Sequence, residues 1–256
     1  MTEKAFVLSE MTWPEAEKAL AQARLGLVPV GSFEQHGPNG TFALDTGRAK
    51  GFGRRLAARL YPRAILAPAV NLGVSYHHMN FPGTVTLKPE TFIAVVYDLI
   101  WSLRQHGLDR FLILNGHGGN IPALGVLIVK LQAELGVKTA WVSFTSLAKD
   151  VIQARVLSES KGHACQGEIS QALVLAPHTV RREALAPGQF QGYPYRHLGR
   201  GYNLGYPYRF DEITANGALG DATQASQELG EAIVEAALDK AVEFATDFIA
   251  GEEAQR

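Results

Sequence analysis

The run Leu25–Val30, LGLVPV, is short, wholly apolar and stops at Gly31. Bounded by a glycine turn, it reads as a buried β-strand. The same device recurs along the chain. Ala64–Ala67, Phe111–Leu114 and Thr139–Phe144 are further apolar runs, with another at Ala5–Leu8. Stretches of helical periodicity lie between them. Thr46–Leu60 sets Phe52, Leu56 and Leu60 on one face. Pro89 to about His106 carries a stripe of Phe92, Val95, Val96, Leu99 and Leu103. Thr12 and Glu15, with Pro14 between them, form a capping-box signature for a helix running to about Arg24. Strands alternating with helices specify an α/β fold on an open sheet. In such folds ligands bind beyond the carboxyl ends of the strands.

The chemistry-bearing residues fall at those ends. Glu34, His36 and Asp45 follow Gly31. Glu34 and His36 are two apart, so an extended backbone turns both side chains to one face. Asp45 lies at the start of the helix that follows, where the helix dipole favours an ionised carboxylate. Acid, imidazole and acid at a glycine-rich strand exit point to a cation; the plain alternative is a solvated loop with a stray histidine. Phe111–Leu114 runs into Asn115-Gly-His-Gly-Gly-Asn120, which offers His117, glycines that let a ligand approach the backbone, and Asn120 as the expected cap of the next helix, to about Leu135. Glycine loops at helix N-termini also bind anions, but this spacing fits neither the P-loop nor the dinucleotide fingerprint. His163-Ala-Cys-Gln-Gly-Glu168 places Glu168 at the start of an apolar helix and His163 in the loop before it.

Other segments are less determined. The loop 68–84 is long for a passive connection. Its neighbours His77 and His78 point opposite ways if the backbone is extended, leaving at least one at the surface or against substrate. Thr84–Leu87 reads as a short strand. The stretch 187–212, rich in Gly, Tyr and Pro, suits a lid or an oligomer contact. Asp221–Ile249 reads as one long helix. Apolar content of 46% and the lack of a linker favour one domain over residues 1–256. A net charge of −1 gives no broad attraction to nucleic acid or to a membrane. One cysteine, Cys165, excludes an internal disulfide and fits a reducing compartment. With no signal peptide and no run of membrane-spanning length evident, a soluble, cytoplasmic protein is expected.

The stretches GSFEQHGPN…LDT, GVSYHHMNFPGT, NGHGGN, HACQGE and Gly220-Asp221, in this order from residue 25 to about 230, together resemble the creatininase family of metal-dependent amidohydrolases. The resemblance implies a three-layer α/β/α sandwich with a mainly parallel sheet. It also implies two divalent metal ions at the strand ends and a homo-oligomer, often a hexamer. Residue by residue, it gives Glu34, Asp45 and His117 to one ion and His36, Asp45 and Glu168 to the other, with Asp45 bridging. His163 matches the proton-transfer histidine.

The chemistry of these residues agrees with that assignment. Three carboxylates and a bridging hydroxide balance two divalent ions. Mixed carboxylate and imidazole ligation suits Zn, with Mn or Fe(II) as alternatives. The expected reaction is attack of that hydroxide on an amide carbon, with His163 protonating the leaving nitrogen. The substrate is then a small-molecule amide, a cyclic amide or a formamide, in a pocket shaped by His78, Gly118 and Gly119. In creatininase proper an aromatic-acid pair stands where Gly118-Gly119 stands here, and tryptophans flank creatinine that this chain lacks. The sequence therefore points to a different substrate. Trp13, Trp101 and Trp141 are assigned to core packing. Arg196, Arg200 and Arg209 are candidates for holding an anionic substrate. Two other classes remain open: a thiol hydrolase using Cys165 with His163, and a metal-binding scaffold without catalysis.

Overall fold

The computed structural model describes residues 4–158, 162–196 and 206–251. Its elements in order begin with β1 (Phe6–Val7), α1 (Trp13–Leu20), β2 (Leu25–Val30), α2 (Leu44–Arg59), β3 (Ala64–Leu66) and α3 (Pro89–Arg104). They continue with β4 (Arg110–Asn115), α4 (Ile121–Leu135), β5 (Lys138–Ser143), α5 (Phe144–Leu147), α6 (Lys149–Arg155), α7 (Gln166–Leu175) and α8 (Gln227–Ala250). The five strands form one sheet in the order β1-β3-β2-β4-β5, and every pairing is parallel.

Strand alternation builds three layers. On β2 and β4, Leu25, Leu27, Leu112 and Leu114 face one core, packed with α2, α5 and α8. Val28, Val30, Phe111 and Ile113 face the other, packed with α1, α3 and α4. A sheet buried on both faces needs continuous apolar strands, and all six residues of β2 are buried. The expected α/β/α sandwich with its parallel sheet is the observed one.

The strand order fixes where a site can form. From β2 the chain crosses to β3 through α2 on one face; from β3 it returns past β2 to β4 through α3 on the other. The loops leaving β2 and β4 therefore diverge to opposite faces and open a crevice between their carboxyl ends. The last register pair there is Val30 with Asn115. At the β2 exit Gly31 lets α2 approach closely, since a Cβ there would stand 2.5 Å from the backbone nitrogen of Thr46.

Several expectations need correction. Trp13 is 78% exposed and Trp101 48% exposed, so neither packs in the core; Trp141 is partly buried against the α3/α4 side. Thr84–Leu87 forms no ladder strand, only an isolated bridge from Val85 to Phe33. The final helix starts at Gln227, not Asp221. Asp221 Oδ1 accepts from Thr223 N–H at 2.9 Å and closes a 3₁₀ turn, and Ser226 Oγ then caps α8 by accepting from Leu229 N–H at 3.1 Å. The stretch after β5 contains two short helices, α5 and α6. Thr12 and Glu15 do form the capping box, but α1 ends at Leu20.

Candidate metal centre

The β2 exit, the first turn of α2, the β4 exit and the first turn of α7 meet in the crevice. Glu34 and His36 leave β2 on one side, as their spacing requires. Asp45 sits in the first turn of α2, His117 two residues beyond β4, and Glu168 in the first turn of α7. Glu34, His36, Asp45 and His117 are each at most 5% exposed.

Both of these histidines are oriented by the main chain. His36 Nδ1 donates to the carbonyl oxygen of Glu34 at 3.1 Å, which leaves Nε2 facing Asp45 Oδ1 at 3.3 Å and Glu168 Oε2 at 4.0 Å. His117 Nε2 donates to the carbonyl oxygen of Val74 at 3.0 Å, which leaves Nδ1 facing Glu34 Oε1 at 3.1 Å and Asp45 Oδ2 at 3.3 Å. A backbone acceptor on one ring nitrogen fixes the tautomer and aims the other nitrogen inward, as in metal-ligating histidines. Two hydroxyls hold the acids: Ser32 Oγ donates to Asp45 Oδ2 and Ser75 Oγ to Glu34 Oε2, both at 2.7 Å.

Charge in this cluster is strongly coupled. Burial pushes the His36 pKa down, but Asp45 and then Glu168 outweigh it and raise it to about 9. His117 is likewise raised well above its ordinary value, burial being overcome by Glu34 and Asp45. Burial raises the carboxyls of Glu34 and Asp45, yet the neighbouring histidines hold both below the usual range. A buried array this rich in carboxylate calls for cations. The donor set of carboxylate oxygens and imidazole nitrogens fits divalent ions such as Zn or Mn. Groups such as Glu34, His36 and Asp45, or His36, His163 and Glu168, bring their donor atoms within 4.8 Å of one another.

Five of the eight histidines converge here. Ring centroids are 4.4 Å apart for His36 and His163, for His163 and His78, and for His78 and His77; His77 then stacks on His117 at 5.5 Å. His77 and His78 lie in a 3₁₀ turn, Tyr76–His78, so the expectation drawn from an extended backbone fails and both reach the cluster. His163 Nε2 is 2.6 Å from the carbonyl oxygen of Gln35, and its Nδ1 is 3.5 Å from Glu34 Oε1. Burial first, then the charge of His36, keeps the His163 pKa below its ordinary value. His78 is held well below its own, chiefly by burial and then by His163.

A cavity of about 790 Å³ opens above these groups. His78, Gly118 and Gly119 line it, as do Tyr193, Tyr206 and Tyr208 from the described parts of 187–212. A Cβ at Gly119 would stand 2.2 Å from the carbonyl oxygen of Val74, so no larger residue fits. Arg209 also lines the cavity and pairs with Asp211 and Glu212. Arg196 is exposed, and Arg200 lies outside the described residues. Cys165 is buried, and burial, then Glu168, pushes its thiol pKa up; an activated nucleophile needs the opposite.

The sequence reading missed four contributors. Ser32 shares the parity of Glu34 and His36, and Arg48 follows Asp45 by one helical turn, so both had a local signal. Ser75 and Gln35 had none, because their partners are distant in sequence. Asn120 takes the cap position of α4 without capping it: its Nδ2 donates to Gly31 O at 3.0 Å, and its Oδ1 accepts from Val74 N–H at 2.9 Å.

The family model described as creatininase, creatinine amidohydrolase, matches residues 9–245. The chain belongs to the creatininase family. It is 30% identical over 238 residues to the mycofactocin precursor peptide peptidase of Mycobacterium ulcerans (strain Agy99), covering 90% of this chain and 84% of that protein. A creatininase variant described as the Zn-Zn type matches with a TM-score of 0.77 and 26% identity, covering 94% of this chain and 97% of that one. A creatininase structure described with Mn matches at 0.75, with the same identity and coverage. As a creatininase-family member the chain is a hydrolase. None of the helices among its described residues is long and apolar enough to cross a membrane.

Proposed function

We propose that this creatininase-family hydrolase cleaves a C–N amide bond of a small molecule, a cyclic amide or a formamide, at a binuclear metal centre. Glu34, Asp45 and His117 would hold one divalent ion, and His36, Asp45 and Glu168 the other, with Asp45 shared. Zinc is the preferred metal and manganese the alternative. Divalent ions in such a site supply an activated water and polarise the scissile carbonyl.

The orientation of His36 and His117 carries the reading. Each gives one ring N–H to a backbone carbonyl and turns its other nitrogen onto buried carboxylates. The remaining roles belong to the chain's own side chains. His163 donates its Nε2 proton to the Gln35 carbonyl, so Nδ1 is the atom that takes and returns a proton. Its lowered pKa leaves it uncharged and ready to accept at neutral pH. His78, Gly118 and Gly119 form the pocket beside the reacting bond, and the tyrosines of the outer wall exclude water from a bound substrate. Gly118-Gly119 in place of an aromatic-acid pair supports a substrate other than creatinine. The reading treats residues 1–256 as one catalytic domain, because the cavity draws on residues from 34 to 219. Apolar side chains exposed on α3 and α4, among them Val95, Trp101, Val126 and Val129, support assembly into a homo-oligomer.

Metal content per chain, measured for the native protein and for Glu168→Ala, tests this. Two ions falling to about one is the expected result. Native protein that holds no metal, and gains none on incubation with Zn or Mn, overturns it. A panel of formamides and cyclic amides then identifies the substrate.

A further inference from the structure

His78 and His163 stand side by side at the floor of the cavity, with ring centroids 4.4 Å apart, and they present opposite polarity. His163 Nε2 gives its proton to the carbonyl oxygen of Gln35, so Nδ1 faces inward with a lone pair. The side chain of Gln35 does the reverse for His78. Its Oε1 accepts from Gly37 N–H at 2.6 Å, which identifies the other terminal atom as the amide nitrogen. That nitrogen donates to Gly217 O at 3.0 Å and to His78 Nδ1 at 2.8 Å. Nδ1 is therefore an acceptor, the ring is uncharged, and its proton sits on Nε2. Nε2 lies 3.4 Å from Glu34 Oε1, and among the described residues no acceptor completes a hydrogen bond with it. The Phe210 ring, with its centroid 4.0 Å from that of the imidazole, holds the ring in place. His78 is 1% exposed, so this N–H is reached from the cavity alone. Arg48, the buried cation of the cluster, pairs with Glu168 and lies 3.5 Å from Asp45 Oδ1; among the described residues it forms no ion pair with Glu34, beside which His78 stands.

We propose that His78 is a second catalytic histidine, whose Nε2–H stabilises the oxyanion formed from the scissile carbonyl. This rests on the amide-hydrolysis reading above. When the oxygen of water adds to the carbonyl carbon, the π bond breaks and its electron pair moves to the carbonyl oxygen, while His163 Nδ1 takes the proton of the water. A neutral N–H already aimed into a buried cavity meets the new charge without reorganising. When the tetrahedral carbon collapses, the oxygen returns its pair, the C–N bond breaks, and the leaving nitrogen takes the proton from His163. The two roles need one lone pair and one N–H. Gln35 sets both, by offering a carbonyl to one ring and an amide N–H to the other. A ring free to change tautomer would set a lone pair against the oxyanion.

Two probes separate this role from packing: methylboronic acid, which adds water to become a tetrahedral anion, and acetamide, which stays planar. Calorimetry on the zinc-loaded protein reads both without turnover. His78→Phe should weaken the boronic acid by about tenfold or more and acetamide far less, with metal content unchanged. His78→Gln, which keeps an N–H near the place of Nε2, should recover part of the loss. Against a formamide that the native protein hydrolyses, His78→Phe should lower kcat about 10²- to 10³-fold with little change in KM. Nitrogen NMR spectra of histidine-labelled protein should show His78 protonated at Nε2, and Gln35→Met should mix the tautomers. Equal weakening of both probes, native protein that binds the boronic acid no better than His78→Phe does, or loss of metal with His78 overturns the inference. So does a native proton on Nδ1, a result that needs no variant to fold. Native protein that hydrolyses no amide overturns the reading of the reaction instead, and the boronic acid titration still decides the role of His78.

Discussion

His163 and Gln35 are joined by a hydrogen bond of 2.6 Å from a ring nitrogen to a main-chain oxygen. A carbonyl only accepts, so the proton on Nε2 is fixed by the backbone, and Nδ1, 3.5 Å from Glu34 Oε1, is the nitrogen turned toward the carboxylates of the cluster. The side-chain nitrogen of Gln35 lies 2.8 Å from His78 Nδ1 and 3.0 Å from Gly217 O, and 3.3 Å from His163 Nε2 itself. One residue thus sets the ring orientation of two histidines, through its backbone for one and its side chain for the other.

Replacing His163 by Asn should lower kcat about 10²- to 10⁴-fold, the range expected for loss of a general acid–base group. Metal content should not change. Steady-state kinetics together with elemental analysis checks this, and a parallel loss of metal would mean that His163 is a ligand.

The metal-free protein should lose stability as pH rises. His36 has a folded pKa of about 9, above the roughly 6.5 of an unfolded histidine, and His117 is raised in the same direction. Their contribution is complete below about pH 6.5 and disappears as pH climbs through the folded values. Glu34 and Asp45 are depressed, so theirs is present above about pH 4.5 and is lost as pH falls. Thermal melts of chelator-treated protein should therefore show Tm falling between pH 6.5 and 9, and a flat profile there would contradict the charge assignment. Because bound metal displaces those protons, loading at pH 7 should acidify a weakly buffered solution.

The hydroxyls behind the acids give a third test. Ser32→Ala and Ser75→Ala each remove a 2.7 Å hydrogen bond to a carboxylate oxygen. Metal affinity should fall about 10- to 100-fold, the usual effect of losing such a supporting partner. Ser102→Ala, on the exposed side of α3, is the control. Competition against a chelator of known affinity distinguishes the three, and equal affinities would mean that the serines only pack.

Asn120 is a structural clasp. Its amide joins the β2 exit at Gly31 O to Asn115 Oδ1 at the β4 exit, and its carbonyl accepts from Val74 N–H. Asn120→Ala leaves Gly31 O and Val74 N–H without this partner, while Asn115 Oδ1 keeps the N–H of His117, and should cost about 1–3 kcal/mol. Urea unfolding measures the cost, and a change within about 0.5 kcal/mol, the range of an ordinary surface substitution, would show the clasp to be dispensable.

Much of this architecture was legible because a parallel sheet leaves a plain trace. β2 and β4 are buried on both faces, so their sequences are continuous apolar runs, and the polar residues after them mark the strand exits. The metal-ligand candidates were legible for the same reason, since four of the five, Glu34, His36, Asp45 and His117, follow such an exit or open the helix after it. What escaped notice depended on contacts across the chain. The hydroxyl of Ser75 reaches Glu34 over 41 positions, and Asn120 serves two strand exits where a local rule assigned it to a helix cap. Trp13 and Trp101 were misplaced because apolar character does not tell which side of an amphipathic helix faces water. The adjacent histidines were misjudged through the assumption of an extended backbone, where the chain makes a 3₁₀ turn.

The divergence of the loops at the β2 and β4 ends has a consequence for how the molecule is made. Residues 34 to 168 supply the acids and imidazoles, and they converge only after β4 has docked beside β2 and α7 has packed against α8. No early segment of the nascent chain contains the whole arrangement. An ion captured there would act as a latch on the finished molecule rather than a seed for its folding. At a free concentration a thousandfold above Kd it would add about 4 kcal/mol to the folded state. Supply of metal would then govern how long each copy survives unfolding and proteolysis in the cell, quite apart from turnover.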